Sequence, residues 1–135
     1  MYKVSLAIPI YNVSLFVERA LLSVLNQTYD NIEYLIVDDK GQDDSMDIVH
    51  RIIKDHPRGK DVRIIEHPYN IGLGATRNTA IDNAQGEYLF FMDSDDEIIP
   101  TCIEILVHKM QEHPVDFIAA SHMKKDLSGK TYPTC

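Results

Sequence analysis

Short apolar runs alternate with amphipathic segments along most of the chain. Five of the runs are rich in branched and aromatic side chains, a composition typical of buried strands. They lie at residues 4–8, 34–37, 62–65, 88–92 and 116–120. Between them, apolar positions recur every three or four residues. This period predicts helices at residues 14–26, 45–54, 75–84 and 100–112.

Strands that alternate with helices predict an α/β fold with a mostly parallel sheet flanked by helices. Three boundary residues carry specific expectations. Pro9 is expected to stop the first strand, because proline cannot donate to a sheet ladder. Ser14 is a suitable N-cap for the first helix. Gly86 is placed to end the third helix in the left-handed conformation.

The composition is that of a single globular domain. Of 135 residues, 44% are hydrophobic and 25% are charged, and the formal net charge is -8. An acidic chain lacks the basic footprint of a nucleic-acid binder, so no nucleic-acid partner is expected. Cys102 and Cys135 form no disulfide framework, which fits a reducing compartment. No apolar run is long enough to cross a membrane, so no transmembrane segment is expected.

The fourth apolar run leads directly into a dense group of carboxylates between Asp93 and Glu97. A hard divalent cation with oxygen ligands relieves the repulsion within such a group. Ligands of open α/β sheets bind at the carboxyl ends of the strands. Asp93-Ser94-Asp95 is therefore a candidate metal site. The alternative is a solvated acidic turn that caps the following helix.

Two other predicted strands are followed by polar residues, Pro9-Ile10-Tyr11-Asn12 and Asp38-Asp39. Strand ends of a parallel sheet share one edge, so these residues are expected to converge with the acidic group. An aspartate there can accept from a base N–H or a ribose hydroxyl, and a tyrosine can stack on a base. The alternative for Asp38-Asp39 is a turn and cap for the helix at Ser45.

The loop Asn70-Ile71-Gly72-Leu73-Gly74 precedes a helix that carries Arg77 and Asn78. A cation and the amides of a helix N-terminus can bind a diphosphate, and glycines allow the backbone to come close. The loop matches neither common glycine-rich phosphate motif, and the alternative is a solvent-facing arginine. The six histidines show no metal-ligand spacing and are interpreted as structural or surface residues.

These motifs, in this order, resemble the nucleotide-binding part of the family-two inverting glycosyltransferases, which have the GT-A fold. The matching segments are Pro9-Ile10-Tyr11-Asn12, Asn26-Gln27-Thr28-Tyr29, Ile36-Val37-Asp38-Asp39 with Asp43-Asp44-Ser45, Asn70-Ile71-Gly72-Leu73 with Arg77-Asn78, and Gly86-Glu87-Tyr88 through Asp93-Ser94-Asp95-Asp96. The resemblance implies a nucleotide-sugar-binding region at 1–120. Residues 121–135 would be the start of an acceptor-side region or a disordered tail.

The resemblance also implies roles for single residues. The implied nucleotide-binding residues are Pro9, Tyr11, Asn12, Asp39, Arg77, Asn78 and Asp93. Among them Pro9, Tyr11 and Asp39 match base-binding positions, and Asp93 matches the ribose side. Asp95, together with Asp93, would hold a Mn²⁺ or Mg²⁺ ion. That ion would bridge the diphosphate of a nucleotide sugar, commonly a UDP-sugar.

Two features depart from the family pattern. Lys40-Gly41-Gln42 stands where the family usually has Gly-Ser-Thr. The family's catalytic base lies on the acceptor side, and the chain ends at Cys135, so the base is expected beyond that residue. We therefore expect a donor-binding half that transfers no sugar alone and that self-associates into a homo-oligomer through an incomplete sheet.

The implied activity is metal-dependent transfer, with inversion, of a sugar from a nucleotide donor to a saccharide or lipid-linked acceptor, as in polysaccharide biosynthesis. A cytoplasmic location is implied, and peripheral attachment to the inner face of the membrane stays open for a longer protein. The alternative function is a nucleotide-binding module without catalytic activity. A phospho-accepting receiver module is disfavoured, because a strand and a helix precede Asp38-Asp39.

Overall fold

The computed structural model of the protein describes residues 2–112, 122–125 and 131–134. Strands and helices alternate through the first of these ranges. The elements are β1 (Val4–Ile10), α1 (Val17–Leu25), β2 (Ile32–Asp38), α2 (Ser45–Asp55), a 3₁₀ helix (Pro57–Asp61), β3 (Val62–Glu66), α3 (Leu73–Asn83), β4 (Tyr88–Phe91), α4 (Cys102–Glu112), β5 (His122–Lys125) and β6 (Thr131–Thr134).

The first four strands form one parallel sheet in the order β3-β2-β1-β4. Strands β5 and β6 pair with each other in a separate antiparallel sheet. The predicted α/β fold with a parallel sheet and flanking helices is confirmed. The predicted strand at 116–120 lies outside the described residues, and so does the proposed boundary at 120, which stays a prediction.

Helices cover both faces of the sheet. Alternate residues of β1 and β2, including Leu6, Ile8 and Ile36, pack with Val17 and Leu21 of α1 in the main core. The residues between them face the other way, where Ala7, Leu35 and Val37 pack against Ala80 of α3. Strand β2 is buried along its whole length, as expected for a central strand of a parallel sheet covered on both faces.

Pro9 does not stop β1, which runs on to Ile10, and the prediction was wrong at this point. Toward β2 the pairing continues through Ile10 and Asp38, and the Asp39 N–H donates to the Ile10 carbonyl at 3.0 Å. Toward β4 the pairing ends at Ala7 and Phe91. The nitrogen of Pro9 faces that second side. Its missing hydrogen therefore costs no ladder bond.

The start of α1 also differs from the prediction, because the helix begins at Val17 and Ser14 is not its N-cap. The Ser14 N–H instead donates to Asp43 Oδ2 at 3.0 Å, and the Val13 N–H donates to Ser45 Oγ at 2.9 Å. These bonds join the loop after β1 to the start of α2. They hold Val13 and Ser14 in this loop, and the N-cap position of α1 is Phe16, which makes no side-chain cap bond.

A buried carboxylate ties the strands together at the amino edge of the sheet. Glu33 accepts from the hydroxyl of Ser5 and the N–H of Gln85, both at 2.5 Å, and from Arg63 at 2.8 Å. Burial acts to raise the pKa of Glu33, but these hydrogen bonds outweigh burial and hold that pKa below its usual value.

Gly86 lies beside this cluster and has no left-handed backbone, so that prediction was wrong. Helix α3 ends at Asn83, three residues earlier. A Cβ at position 86 would lie 2.7 Å from the Lys3 carbonyl oxygen and from Ser5 Oγ. Close contact between the chain segments, rather than an unusual backbone angle, requires glycine here.

The left-handed conformation occurs instead at Lys40, with φ 55°, and at Asn12, with φ 52°. Asparagine tolerates this region, whereas lysine is strained in it. Position 40 is where the family pattern carries glycine. The Lys40 N–H donates to Asp38 Oδ1 at 2.9 Å, and Nζ lies 3.1 Å from Glu66 Oε2. Both ends of the Lys40–Glu66 pair are exposed, so the pair stabilises the fold little.

We predict that Lys40→Gly is more stable than Lys40→Ala by about 1 kcal/mol, because only glycine relieves the left-handed strain. Both variants lose the ammonium group, so alanine is the matched control. Urea unfolding of the two proteins measures the difference. An alanine variant as stable as the glycine variant would show that residue 40 is not held in this conformation.

Candidate nucleotide and metal site

The carboxyl edge of the sheet contains an open cavity of about 510 Å³. This volume lies within the range of small-molecule sites. The cavity is lined by Pro9, Tyr11, Val13, Asp39, Asn70, Gly72, Leu73, Thr76, Asp93, Ser94 and Asp95. Residues that follow β1, β2 and β4 thus meet at one place, as the sequence predicted for these strand ends, and Asn70 and Gly72 after β3 join them.

The acidic group follows β4 directly. The Met92 N–H donates to the Ala7 carbonyl at 3.0 Å, and a turn closes where the Asp96 N–H donates to the Asp93 carbonyl at 3.1 Å. Asp93, Asp95 and Asp96 are exposed and each offers a carboxylate oxygen, with all three oxygens within 4.8 Å of one another. Asp96 was not among the predicted ligands.

This donor set fits a hard divalent cation. Mg²⁺ and Mn²⁺ prefer carboxylate oxygens and accept several anionic ligands together with water. Because the three side chains are exposed, space remains for water or for phosphate oxygens. Asp95 and Asp93 line the cavity, so an ion held by them would face the cavity's contents.

Asp39 differs from these aspartates because it is 2% exposed and fully hydrogen-bonded. Its Oδ1 accepts from His67 Nδ1 at 2.8 Å and from the Ile71 N–H at 3.0 Å. Its Oδ2 accepts from Asn70 Nδ2 and from the Gly72 N–H, both at 3.0 Å. Asp39 therefore anchors the loop that forms one wall of the cavity.

Burial acts to raise the pKa of Asp39, but the hydrogen bonds from His67, Ile71 and Gly72 outweigh it. The pKa of Asp39 lies below its usual value, so the carboxylate is ionised at neutral pH. An ionised carboxylate only accepts hydrogen bonds. His67 must then carry its hydrogen on Nδ1.

The other predicted binding residues lie at different distances from the cavity. Pro9 and Tyr11 line it, and the Tyr11 side chain is 46% exposed and available for stacking. Arg77 lines a smaller adjoining cavity together with Pro9 and Asp93. Asn78 is exposed on α3 and lines none of the cavities described here.

Asn12 faces a neighbouring cavity rather than the main one. Its Oδ1 accepts from the Gln42 N–H at 2.7 Å, and a Cβ at Gly41 would lie 2.6 Å from the same oxygen. Asn12 thus supports the loop after Asp39. A nucleotide-binding role for Asn12 stays a prediction.

A parallel sheet with an acidic group and a cavity at its carboxyl edge is the architecture of the GT-A glycosyltransferases, and the solved structures similar to this chain belong to that class. The family model described as glycosyl transferase family 2 matches residues 5–135. The chain belongs to this family.

Three similar proteins have informative names. The Escherichia coli protein UDP-Glc:alpha-D-GlcNAc-diphosphoundecaprenol beta-1,3-glucosyltransferase WfaP is 37% identical over 130 residues, which cover 94% of this chain and 49% of WfaP. S. aureus TarS 1–349 in complex with UDP-GlcNAc has a TM-score of 0.75 at 28% identity, covering 82% of this chain and 32% of that one. The mannosyltransferase PcManGT from Pyrobaculum calidifontis, in complex with GDP-Man and Mn²⁺, has a TM-score of 0.67 at 26% identity. The match covers 71% of this chain and 28% of that one.

The chain spans half or less of the length of the curated relatives that it matches here. Within the described residues, no helix has the length and apolar character needed to cross a membrane.

We predict that Asp39→Asn lowers the free energy of unfolding at neutral pH by roughly 1.5–3 kcal/mol, because an amide N–H would replace an acceptor that two donors share. The unfolded chain binds a proton on Asp39 at higher pH than the folded chain does. Stability from Asp39 is therefore lost as the pH falls below the usual aspartate pKa toward the lowered one.

Urea unfolding at several pH values between about 6 and 3 tests this. The wild-type protein should lose stability with acid more steeply than Asp39→Asn, while the exposed control Asp55→Asn should follow the wild type. Parallel curves for wild type and Asp39→Asn would mean that Asp39 has an ordinary pKa in the folded protein.

Proposed function

We propose that this chain binds the nucleoside diphosphate part of a UDP-sugar with the help of a divalent cation, in a glycosyltransferase that transfers the sugar with inversion. The observation that carries the proposal is the single cavity that joins Tyr11 and Asp39 to Asp93 and Asp95. Tyr11 offers an aromatic ring and Asp39 a buried acceptor for a base. Asp93 and Asp95 offer carboxylates for a cation beside a diphosphate.

Each residue has a role within this proposal. Tyr11 stacks on the base and Pro9 packs beside it. Asp39 accepts a hydrogen bond from the base. Asp93 accepts from a ribose hydroxyl, and Arg77, close to Asp93, contributes positive charge on the phosphate side.

Asp95, with Asp93 and Asp96, would hold Mn²⁺ or Mg²⁺. Bound there, the ion supplies Lewis acidity that stabilises the charge of the departing diphosphate. The carboxylates would hold the ion beside the cavity, where its positive charge would offset the repulsion between the acidic chain and an anionic donor. The net charge of -8 makes such neutralisation necessary.

The names of similar proteins support a nucleotide-sugar donor. WfaP is named for UDP-Glc and a diphosphoundecaprenol acceptor, TarS was solved with UDP-GlcNAc, and PcManGT was solved with GDP-Man and Mn²⁺. By analogy we propose an acceptor hydroxyl on a saccharide, either free or lipid-linked, for the whole protein. The general base for that hydroxyl is not assigned to a described residue.

We predict that UDP binds this chain and that Mn²⁺ strengthens the binding about tenfold or more, since the ion neutralises phosphate charge beside the carboxylates. Asp95→Asn should abolish most of the metal effect. Asp55→Asn removes the same charge on an exposed part of α2 and should behave as the wild type. Calorimetry with Mn²⁺ and with EDTA measures the UDP affinity of each variant with and without the ion. Equal UDP affinity of the wild type in the two conditions would refute metal-assisted binding.

We also predict that Tyr11→Ala weakens UDP binding by roughly 1–3 kcal/mol, the usual value of a base–aromatic stack. Tyr11→Phe keeps the ring and should retain wild-type affinity. The Mn²⁺ enhancement should persist in both variants, because Tyr11 is assigned to the base and not to the ion. An alanine variant with full UDP affinity would show that Tyr11 does not stack on the base.

A further inference from the structure

We propose that His67 is a positioning residue for nucleotide recognition, which fixes the Asp39 carboxylate in the orientation in which Asp39 accepts a hydrogen bond from uracil. The inference rests on the proposed function, because it takes Asp39 as the residue that meets the base. It assigns a role to a histidine that the sequence pattern marked only as structural or surface.

His67 is held on three sides. It follows β3, is 5% exposed, and its N–H donates to the Asp38 carbonyl at 2.9 Å. Its Nδ1 lies 2.8 Å from Asp39 Oδ1, and its Nε2 lies 2.8 Å from Thr79 Oγ1 on α3. The imidazole cannot rotate without breaking both side-chain bonds in a buried place, where such losses are costly.

This arrangement joins three elements through one ring. The Thr79 hydroxyl also lies 2.9 Å from the Ala75 carbonyl oxygen, and its single hydrogen serves one of the two acceptors at a time. The contact of His67 with Thr79 links α3 to the side chain at the end of β2. Because Asp39 only accepts, the hydrogen on Nδ1 points at Oδ1 and, together with the Ile71 and Gly72 amides, fixes the orientation of the carboxylate.

A base can reach Asp39 only by exchange. A carboxylate has about four acceptor positions, and Asp39 uses four with His67, Asn70, Ile71 and Gly72. Two of these donors are side chains, His67 and Asn70. Asn70 is exposed and lines the cavity, whereas His67 is buried. The base N–H therefore replaces the Asn70 amide on Oδ2, while His67 and Ile71 keep Oδ1 in place.

Two amide substitutions distinguish the contact that Nδ1 of His67 makes with Asp39 from the contact that Nε2 makes with Thr79. An asparagine side chain places an N–H near the position of Nδ1 and can still reach Asp39. A glutamine side chain places its N–H near Nε2, where it reaches Thr79 but leaves Asp39 without this donor. His67→Gln and His67→Asn both remove the ring, so each controls for the packing change in the other.

The readout is the ratio of UDP to CDP affinity, measured by calorimetry at a fixed Mn²⁺ concentration. Uracil has a hydrogen on N3 and cytosine has none, so an oriented acceptor favours UDP. We expect His67→Gln to weaken UDP binding about tenfold, with little change for CDP, in line with the loss of one oriented hydrogen bond. His67→Asn should recover most of the selectivity, and the exposed control His50→Gln should match the wild type.

The possible results are distinct. If His67→Gln and His67→Asn lower UDP and CDP affinity by the same factor, or if His67→Gln keeps the wild-type ratio, the proposal is overturned and His67 only supports the fold. If the wild type itself binds no UDP with Mn²⁺, the proposed function fails first.

Thermal unfolding checks that each variant is folded. Should His67→Gln not fold, Thr79→Val removes the partner of Nε2 and should lower the ratio about threefold, and an unchanged ratio there also overturns the proposal.

Discussion

The cavity wall depends on the burial of one charged group, the carboxylate of Asp39. Removing a carboxylate from water is costly unless it is paired and hydrogen-bonded. Four donors at 2.8–3.0 Å offset that cost, and two of them are backbone amides of a single loop. The ionised Asp39 therefore stabilises the loop between β3 and α3. Together with the packing of Ala80 against the sheet, these contacts position α3 beside β2.

The aspartates at this edge of the sheet behave in two ways because their surroundings differ. Asp39 is buried and its hydrogen-bonding capacity is filled. Asp93 and Asp95 are exposed, lie close together and face the cavity with their charge uncompensated by a salt bridge among the described residues. One carboxylate thus stabilises the protein, and the others offer charge to a ligand. The proposed division between base recognition and cation binding follows this physical difference.

Local pattern was enough to predict the order of the elements and the edge at which the site forms. It was not enough for Pro9, Ser14 and Gly86, where bonds or contacts with distant segments decide the local structure. His67 was missed for a related reason, since its partner Asp39 lies 28 residues away in the chain. Lys40 was noted in the sequence only as a departure from the family pattern, and its left-handed backbone was not predicted.

The glycines before and within α3 show how the fold leaves room for a ligand. Gly72 has φ 96°, which explains why a glycine is needed there. Gly74 has no such angle, and a Cβ at this position would meet nothing within 4 Å. The first intrahelical bond of α3 runs from the Thr76 N–H to the Gly72 carbonyl. The amides of residues 73–75 therefore precede the helical ladder, where helix N-termini attract anions. A diphosphate bound beside this helix, as proposed above, would explain the glycine at position 74, which the protein's own packing does not require.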